Sequence, residues 1–385
     1  MSAQQGPQNA PEWLRAAIDQ NAFDHEQAQL ARTWTLLGLT TDVAHDGDWF
    51  RSTLGGRSVF VQRFGDSLRG FENVCAHRFA PLRVKNKGNG PIRCRYHHWQ
   101  YNKDGLAVGI PKCQELFGVT PRELGARLTP IEIATCGVFV FGRFTDAHHN
   151  ETLREFLGDD VFDIVQGMWS LKGTPAYIET PIAANWRLVY HVTLDDYHIV
   201  AVHPTTFGKH GYLPTENVAY HRLGYHSAYF YGGCDILKMA DDIRRGDYHP
   251  TNYRIFQIFP NVLTLHIAAA RNWYVIAQQY VPIAPDRCVS RCWYAPAPFP
   301  TKDASRLDGL LRRLATPFVP YVLPHYIRKI FSEDNTICEQ VQTVARQVRD
   351  RPILGRHEER IGWFEDAYAK VVGRDSEAAV VDQKR

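Results

Sequence analysis

The segment NVCAHRFAPLRVKNKGNGPIRCRYHHWQY, residues 73–101, decides how this sequence is interpreted. It contains two pairs of metal-binding side chains, Cys75 with His77 and Cys94 with His97, separated by a basic loop that is rich in Gly and Pro. Four such ligands could hold one tetrahedral zinc ion. Zinc fingers, however, usually pair Cys with Cys and His with His. The mixed pairs favour a binuclear [2Fe–2S] cluster in which one iron takes both thiolates and the other takes both imidazoles.

A cluster of this kind carries electrons. Neutral imidazoles in place of two thiolates leave the cluster less negative, so it accepts an electron more readily. The cluster loops therefore indicate an electron relay, and a relay needs a destination.

A second group of polar residues lies in NWRLVYHVTLDDYHIVAVHP, residues 185–204. The hydrophobic spacing predicts a helix that places Asp195 and His198 on one face. Pro204 disfavours helical conformation at the preceding residue, so we expect His203 where the helix ends, able to share a metal with His198. The alternative is that these are ordinary polar residues of an amphipathic helix.

A third ligand is predicted on the last long helix. An apolar stripe runs along this helix with spacings near three and four, and position 334 of the series is an aspartate. The stripe consists of Ile330, Ile337, Val341, Val344 and Val348. A carboxylate on a buried stripe is costly unless it is paired or bound to a cation. Asp334, with Glu333 as the second choice, would complete the two-His, one-carboxylate triad of non-haem Fe(II) oxygenases.

Three segments carry a family resemblance. RCRYHHWQYNKDG (93–105) is similar to the second cluster loop of the Rieske oxygenases, and residues 185–203 resemble the mononuclear-iron segment of their α subunits. SEDNTICEQVQ (332–342) resembles the segment that brings the aspartate ligand, matched at Asp334. The order of the three segments also resembles that of the family across nearly the whole chain.

The pattern of hydrophobic and turn-forming residues predicts an α+β protein. Short alternating runs separated by turn residues predict a small antiparallel β domain over 36–150. Residues 1–35 and 151–385, where helical and strand patterns mix, form the second domain. The resemblance implies a Rieske iron–sulfur domain for the first and a helix-grip catalytic domain for the second.

The resemblance further implies a terminal oxygenase component. It would hydroxylate or dihydroxylate an organic substrate with O2, and we expect that substrate to be aromatic. Electrons would come from NAD(P)H through a reductase and in some members a ferredoxin. A homotrimer is implied, in some members with a β subunit, and one subunit's cluster would serve the neighbour's iron. Asp195 would then be the electron bridge between His97 of one subunit and the iron ligand His198 of the next. Oxidative demethylation of an N- or O-methyl compound by the same machinery, or a pure electron-transfer protein with an inactive second site, remain alternatives.

Two residues depart from the family pattern. His98 stands where the family usually has Gly, and we expect its side chain to point outward, with ligation in place of His97 as an alternative. His191 stands where Asn is common. We expect it near the iron, as a contact to substrate or to the ligands, with a fourth iron ligand as an alternative.

Composition excludes several classes of function. The 44 basic residues nearly balance the 41 acidic residues, so no general affinity for nucleic acid is implied. No apolar run reaches the length of a membrane span, and the first twenty residues lack the pattern of a secretory signal. The eight cysteines do not suggest a disulfide framework. We expect a protein of the bacterial cytoplasm.

The sequence gives weaker indications of the partner and the substrate. The loop between the cluster pairs is basic, and an acidic electron donor could dock there, although a solvated loop is an equal alternative. Its basic residues are Arg78, Arg83, Lys85, Lys87 and Arg93. Arg271 could pair with a substrate carboxylate.

Overall fold

The computed structural model describes residues 12–145, 150–171, 173–207, 217–233, 235–269, 272–299 and 305–373. The chain divides into two compact units. The first is Gln27–Leu153, which contains the range 36–150 predicted for the β domain, and the second comprises the segments before and after it. In the described part of the chain, no helix is both long and apolar enough to cross a membrane.

The first unit is built on antiparallel strands. Its strands are Thr35–Leu39 (β1), Asp48–Leu54 (β2), Arg57–Phe64 (β3), Ser67–Glu72 (β4), Lys87–Asn89 (β5), Ile92–Arg93 (β6), Gln100–Tyr101 (β7), Ala107–Gly109 (β8), Pro130–Cys136 (β9) and Phe139–Arg143 (β10). Among the described residues, one sheet has the order β1-β10-β9-β4-β3-β2-β5, and a small sheet has the order β6-β7-β8. Two short helices, Cys113–Phe117 and Pro121–Leu124, follow β8.

Alternation along β3 separates two cores. Val59 and Val61 belong to one buried cluster, which includes Phe50 and Val140. Phe60, between them, points the other way because successive side chains of a strand alternate between its faces. Phe60 packs in a second group of buried hydrophobic residues, which includes the predicted iron–sulfur ligands Cys75 and Cys94. The sheet therefore directly supports the two loops that carry these ligands.

The second unit combines a sheet with helices. Its strands are Ala176–Ile182 (β11), Val218–Leu223 (β12), His226–Tyr231 (β13), Arg254–Ile258 (β14), Val262–Ala269 (β15), Asn272–Ala284 (β16) and Arg287–Pro296 (β17). They pair antiparallel in the order β11-β17-β16-β15-β14-β13-β12 among the described residues. The α+β fold class is confirmed.

Helices of this unit carry the remaining candidate residues. Those along the chain are Glu12–Arg15 (α1), Gln20–Leu30 (α2, which crosses into the first unit), Leu153–Leu157 (α3), Asp159–Met168 (α4), Trp186–Val192 (α5), Ile199–Val202 (α6), Ile236–Arg245 (α7), Arg306–Ala315 (α8), Val319–Val344 (α9) and Glu359–Val372 (α10). Asn185 begins α5 by accepting a hydrogen bond from the Arg187 N–H, 2.9 Å away.

The single helix predicted through the second ligand segment is wrong. Helix α5 ends at Val192, and α6 begins only at Ile199. In the intervening turn, Asp195 Oδ1 accepts hydrogen bonds from the N–H groups of Tyr197 (2.6 Å) and His198 (3.3 Å). A short acidic side chain competes in this way for backbone donors, and the competition favours a turn over a continuous helix.

The predicted stripe of α9 is also wrong in phase. Ile337, Val341 and Val344 are exposed, with 41%, 39% and 44% of their surface accessible. The buried face consists of Val319, Leu323, Ile327, Asn335 and Cys338. Asp334 lies beside this buried face, so the choice of Asp334 did not depend on the whole stripe being correct.

Candidate metal centres

The two cysteine–histidine pairs lie in loops of similar shape. Cys75 O accepts the N–H of Phe79 at 3.0 Å, and Cys94 O accepts the N–H of His98 at 3.1 Å. The residue that closes each loop has a positive φ, 60° at Phe79 and 59° at His98. Glycine is the residue that adopts this conformation without strain, so the turn gives a physical reason for the glycine that the resemblance expects at 98.

The four predicted cluster ligands come together at these loops. Both thiols are buried. The rings of His77 and His97 lie 4.6 Å apart between centroids. Their Nδ1 atoms are buried and have no hydrogen-bond partner in the structure. A buried imidazole nitrogen without a partner is costly unless something else satisfies it, and a metal ion would do so.

Hydrogen bonds to the sulfurs fit a redox cluster. Tyr101 O–H lies 3.0 Å from Cys75 Sγ and accepts the N–H of Ala76 at 3.1 Å, which leaves its own proton for the sulfur. The N–H of Tyr96 lies 3.4 Å from Cys94 Sγ. Burial raises the pKa of Cys75, and the hydrogen bond from Tyr101 opposes this by stabilising the thiolate. Such bonds tune the potential of an iron–sulfur cluster.

The spacing of the four ligands disfavours a single zinc ion. Ligand atoms 2.0–2.3 Å from one zinc lie within about 4.6 Å of each other. Within the described ranges, the group of three or more potential ligand atoms that lie within 4.8 Å of one another is His198, His203 and Asp334. The cluster loops do not form such a group, as expected if two iron atoms separate the thiols from the imidazoles.

The neighbouring residues of the loops have different environments. His98 is exposed, as expected of a side chain that points outward. Arg83, assigned to a possible docking surface, is instead buried and bonds Gln62 Oε1 and Gly90 O. Lys87 pairs with Asp42. Two of the five cations of the basic loop therefore stabilise the first unit, which weakens the case for docking.

The second centre is formed by the turn, α6 and α9. His203 Nε2 lies 2.9 Å from Asp334 Oδ1, and His198 Nε2 lies 3.6 Å from the same oxygen. Asp334 Oδ1 is buried, and neither contact has hydrogen-bond geometry. Three ligand atoms thus converge on one point instead of bonding each other. Two imidazoles and one carboxylate in this arrangement fit an Fe(II) site with open positions.

The three side chains shift one another's pKa values. Burial would lower the pKa of His198, but Asp195 and Asp334 outweigh it and raise the pKa to about 9. The pKa of His203 is raised for similar reasons, against burial, by Asp334 and Glu333. Burial would raise the pKa of Asp334, but the two histidines lower it. A cation at this point would replace the protons of the imidazoles.

Each histidine is held from behind by another carboxylate. His198 Nδ1 lies 3.2 Å from Asp195 Oδ2, and His203 Nδ1 lies 2.7 Å from Glu333 Oε2. Glu333, the alternative to Asp334 as the third ligand, therefore contacts the Nδ1 side of the His203 ring and does not face the place where the three ligand atoms converge. Thr206 Oγ1 donates to the same Glu333 oxygen at 2.9 Å. These contacts fix both Nδ1–H tautomers and direct the Nε2 lone pairs at the metal.

His191 is not where the sequence analysis placed it. Its Nε2 lies 2.7 Å from Glu365 Oε1, and its ring stacks on Trp13. It lines a separate cavity of about 310 Å³ with Trp13, Arg187 and Glu365. The cavity at the second metal centre has a different lining. The expectation that His191 contacts substrate or the iron ligands is wrong, because α5 ends before the turn and the helical phase does not carry through.

A cavity of about 110 Å³ opens onto the three converging ligands. Its walls are mainly apolar, with both aliphatic side chains and aromatic rings. They include Ile255, Leu263, Leu265, Ile267, Ile276, Leu323, Ile327 and Ile330, together with Phe207, Tyr253, Tyr280, Tyr326 and Phe331. No lysine or arginine is among the described residues that line it. Arg271, considered as a partner for a substrate carboxylate, lies outside the described residues.

Sequence reasoning missed the ion pair below the turn. Asp196 is buried and accepts a 2.7 Å hydrogen bond from Arg360 Nη2 of α10. Burial raises the pKa of Asp196, and Arg360 and Tyr220 oppose that shift. The available signal was the double aspartate itself, because two adjacent carboxylates beside a histidine need separate partners.

Two family profiles match this chain. Residues 33–122 match the Rieske [2Fe-2S] domain, and residues 169–374, more than half of the chain, match the ring hydroxylating alpha subunit (catalytic domain). The triad residues and the turn lie within the second match.

Curated relatives cover part of the chain. It is 30% identical over 220 residues to the large oxygenase component of salicylate 5-hydroxylase from Ralstonia sp., covering 53% of this chain and 51% of the relative. It is also 30% identical over 194 residues to the carnitine monooxygenase oxygenase subunit of Escherichia coli, covering 49% and 51%. The chain spans about half the length of the curated relatives it matches.

Solved structures share the fold over nearly the whole chain. Naphthalene 1,2-dioxygenase from Rhodococcus sp. gives a TM-score of 0.69 at 19% identity, covering 93% of both chains. A quaternary ammonium Rieske monooxygenase of carnitine oxidation gives 0.69 at 19% identity, covering 94% of this chain and 95% of the other. At these identities the likeness concerns the fold.

Proposed function

This chain belongs to the ring-hydroxylating oxygenase α subunits that carry a Rieske [2Fe-2S] domain, and from that premise we propose that it is a terminal oxygenase. It would use O2 and Rieske-delivered electrons to hydroxylate or dihydroxylate a neutral, largely apolar organic substrate, with an aromatic ring as the best fit. The proposal depends on one observation above all. The Nε2 atoms of His198 and His203 and the Oδ1 of Asp334 converge below an apolar cavity.

We assign the cofactor ligands residue by residue. Cys75 and Cys94 would hold one iron of the cluster, and His77 and His97 would hold the other. The support is the pair of buried thiols and the two orphaned, buried Nδ1 atoms. His198, His203 and Asp334 would hold a single Fe(II), supported by their spacing within 4.8 Å.

When bound, the ferrous ion supplies open positions for dioxygen and the cluster supplies electrons. The side chains of this chain do the positioning. Glu333 accepts the Nδ1–H of His203 and holds the ring on its metal-directed tautomer. Asp195 does the same for His198. The aliphatic walls of the cavity exclude water and place the substrate beside the triad, which favours oxidation of substrate over unproductive loss of reducing equivalents.

Asp195 is also the proposed electron bridge. Its carboxylate is 16% exposed. Oδ1 accepts two backbone N–H groups and Oδ2 contacts His198, so the second lone pair of Oδ2 could accept an imidazole N–H from another protein surface. We propose that the surface belongs to a second copy of this chain and that the imidazole is His97. Electrons would reach the cluster from NAD(P)H through a reductase, with or without a ferredoxin. A homotrimer is the assembly that the family suggests.

The lining of the cavity supports a neutral substrate. A carboxylate substrate would need a cation to replace its hydration, and no Lys or Arg is among the described lining residues. Within the lining, Asp196 is paired with Arg360, and Gln278 bonds Ser290. An apolar or aromatic molecule would fill the walls without leaving charges unpaired.

Oxidative demethylation is the second candidate. Five aromatic rings are among the described residues that line the cavity, and aromatic faces attract quaternary ammonium groups. The relatives include the carnitine monooxygenase and glycine betaine monooxygenase oxygenase subunits. Competition binding of a neutral arene against a trimethylammonium compound, with anaerobic Fe(II) protein, decides between the two candidates.

Metal analysis with electron paramagnetic resonance tests the central proposal. Anaerobically reconstituted protein should contain the two irons and two sulfides of the cluster and one additional iron. The reduced sample should show a Rieske signal. In Asp334→Ala, the additional iron should be lost while the Rieske signal remains. A protein that holds one zinc and no sulfide would contradict the proposal.

A further inference from the structure

Two adjacent aspartates in the turn between α5 and α6 face opposite ways. The Asp195 carboxylate contacts His198 and is 16% exposed. The Asp196 carboxylate is 4% exposed and faces Arg360, whose side chain is fully buried. One acid therefore serves the metal centre, and its neighbour serves the interior of the second unit.

Asp196 is held by several contacts. Arg360 Nη2 donates to Asp196 Oδ2 at 2.7 Å, and the neighbouring Tyr220 hydroxyl helps to lower the pKa of the carboxyl against the effect of burial. The N–H of Asp196 donates to His357 O at 3.3 Å, and His357 Nδ1 lies 3.0 Å from the Tyr220 hydroxyl. The Arg360 guanidinium also lies over the rings of Tyr220 and Tyr229, 5.3 and 5.4 Å from their centroids.

These contacts fix the backbone at Asp196 and therefore at its neighbour. Consecutive Cα atoms are 3.80 Å apart across a trans peptide, so Asp195 cannot keep its place if Asp196 moves by several ångströms. Beyond the end of α5 at Val192, the backbone bonds of the turn are short-range: the N–H of Leu194 donates to His191 O at 2.9 Å, and the N–H of Asp195 lies 3.5 Å from Val192 O, at the limit for a hydrogen bond. The backbone at Asp195 is therefore held weakly by the turn itself. Removing one member of a buried ion pair is strongly unfavourable, so the contact with α10 is a firm anchor.

We propose that the Arg360–Asp196 pair positions Asp195 for electron transfer to the iron centre. The inference rests on the proposed function. Arg360 and Asp196 are positioning residues: they touch neither the proposed iron nor the cluster, and they act through the placement of Asp195. The pair adds no redox chemistry of its own: the cluster would supply the electron, O2 would be its final acceptor, and Arg360 and Asp196 would only hold Asp195 in place.

Three variants test the anchor. Arg360→Met removes the cation and leaves Asp196 buried without a partner, so this variant can fail to fold. Asp196→Asn with Arg360→Met removes both charges together and avoids that penalty. Arg360→Lys keeps the buried charge but loses the planar guanidinium.

The measured quantity is the rate at which the reduced cluster is oxidised in a single turnover. Iron-replete, reduced protein loaded with substrate is mixed with O2, and the visible absorbance of the cluster reports its oxidation. In the double variant we expect oxidation slowed by about ten- to a hundredfold, the range that small misplacements of reacting groups produce. Iron content and substrate affinity should stay as in the wild type. Arg360→Lys should show a smaller effect in the same direction.

The matched control is Arg222→Met. Arg222 also joins the sheet to α10, through Asp366 at 2.9 Å, but this pair is exposed and does not touch the turn. It should leave the oxidation rate unchanged. Asp195→Asn supplies the coupling test: adding the double variant to it should slow oxidation little further, because the anchor acts through Asp195.

Two results would overturn the inference. One is a folded, iron-replete double variant that oxidises its cluster at the wild-type rate. The other is an equal further slowing in the Asp195→Asn background. Failure of the proposed function looks different, because then wild-type protein itself would hold no single iron or would leave its reduced cluster unoxidised with substrate and O2.

Discussion

Adjacent acidic residues of this chain have separate tasks at two places. Asp334 points at the convergence of the histidine nitrogens, while Glu333 holds His203 from behind. Asp195 contacts His198, while Asp196 bonds Arg360. In both pairs the tasks differ because neighbouring side chains leave the backbone in different directions, so one residue faces the metal centre and the other does not.

Glu333 is predicted to control iron affinity. Glu333→Gln removes the charged acceptor from His203 Nδ1, and we expect Fe(II) affinity to fall by about ten- to a hundredfold, as for other partners of metal-bound histidines. Anaerobic Fe(II) titration measures the change. Glu339→Gln on the same helix, where Glu339 Oε1 accepts the Ala183 N–H, is the control. Equal affinities in the two variants would show that Glu333 does not orient His203.

The carboxylate of Glu365 is predicted to stabilise the protein in a pH-dependent way. Burial would raise the pKa of Glu365, but Arg187 and His191 lower it to about 2. Because the folded state has the lower pKa, the stabilisation is complete above about pH 4.5, the ordinary value, and is lost as the pH falls toward 2. The shift corresponds to a free energy on the order of 3 kcal/mol.

Urea unfolding of Glu365→Gln between pH 7 and pH 3 checks this sign. The variant should be less stable than wild type at pH 7, and the difference should narrow below pH 4.5. Asp366→Asn changes the adjacent, exposed carboxylate and should have little effect at either pH. A difference that grew as the pH fell would contradict the expected linkage.

At the scale of elements, α10 organises the second metal centre without contributing a ligand. Arg360 holds the turn through Asp196, and Glu365 holds α5 through Arg187 and His191. Phe364, between them, packs against Trp186, Tyr190 and Phe259. The helix therefore fixes both the element before the ligands and the turn that carries the first of them.

The packing of α10 predicts that truncating Phe364 strongly lowers the stability of the protein. Phe364→Ala should lower the free energy of unfolding by about 3–5 kcal/mol, the usual range for a buried phenylalanine. Ile337→Ala on α9 should cost less than about 1 kcal/mol because Ile337 is 41% exposed. Chemical denaturation of both variants compares the two helices. Similar costs would mean that the Ile337 side of α9 is covered in solution.

At the scale of the whole molecule, the two units carry one candidate metal centre each. The cluster loops belong to Gln27–Leu153, and the triad belongs to the other unit. In the proposed function electrons pass between the two centres, and the proposed route runs from the cluster of one copy to the iron of another.

Complementation between copies is the prediction at this scale. A Cys94→Ser variant should lack the cluster but keep the single iron, and an Asp334→Ala variant should do the reverse. Neither should oxidise substrate alone. Mixed oligomers, prepared by co-expression, should recover part of the activity because each copy supplies what the other lacks. Mixtures of Cys94→Ser with a variant that carries both changes are the control and should stay inactive. An inactive first mixture, with mixed oligomers verified, would place transfer within one chain.

The sequence by itself determined the family, the fold class and the chemistry of both centres. Cysteine and histidine spacing in residues 73–101 is local, and so is the relation of His198 to His203. Ligand types and short spacings limit the possible metals before any tertiary contact forms. The family profiles and the α+β fold confirm these predictions, and the assignment of individual ligands stays a proposal.

Only the tertiary structure decided the partners of those residues. The helical phase assumed for residues 185–204 placed His191 beside the iron, but a turn interrupts the helix and His191 faces Glu365, which is 174 residues away. Tertiary contacts also determine which face of α9 is buried and which partners Glu333 and Asp196 have. Local periodicity cannot fix such contacts, because buried charges select partners by proximity in space, and the free energy of burying them depends on which elements pack together.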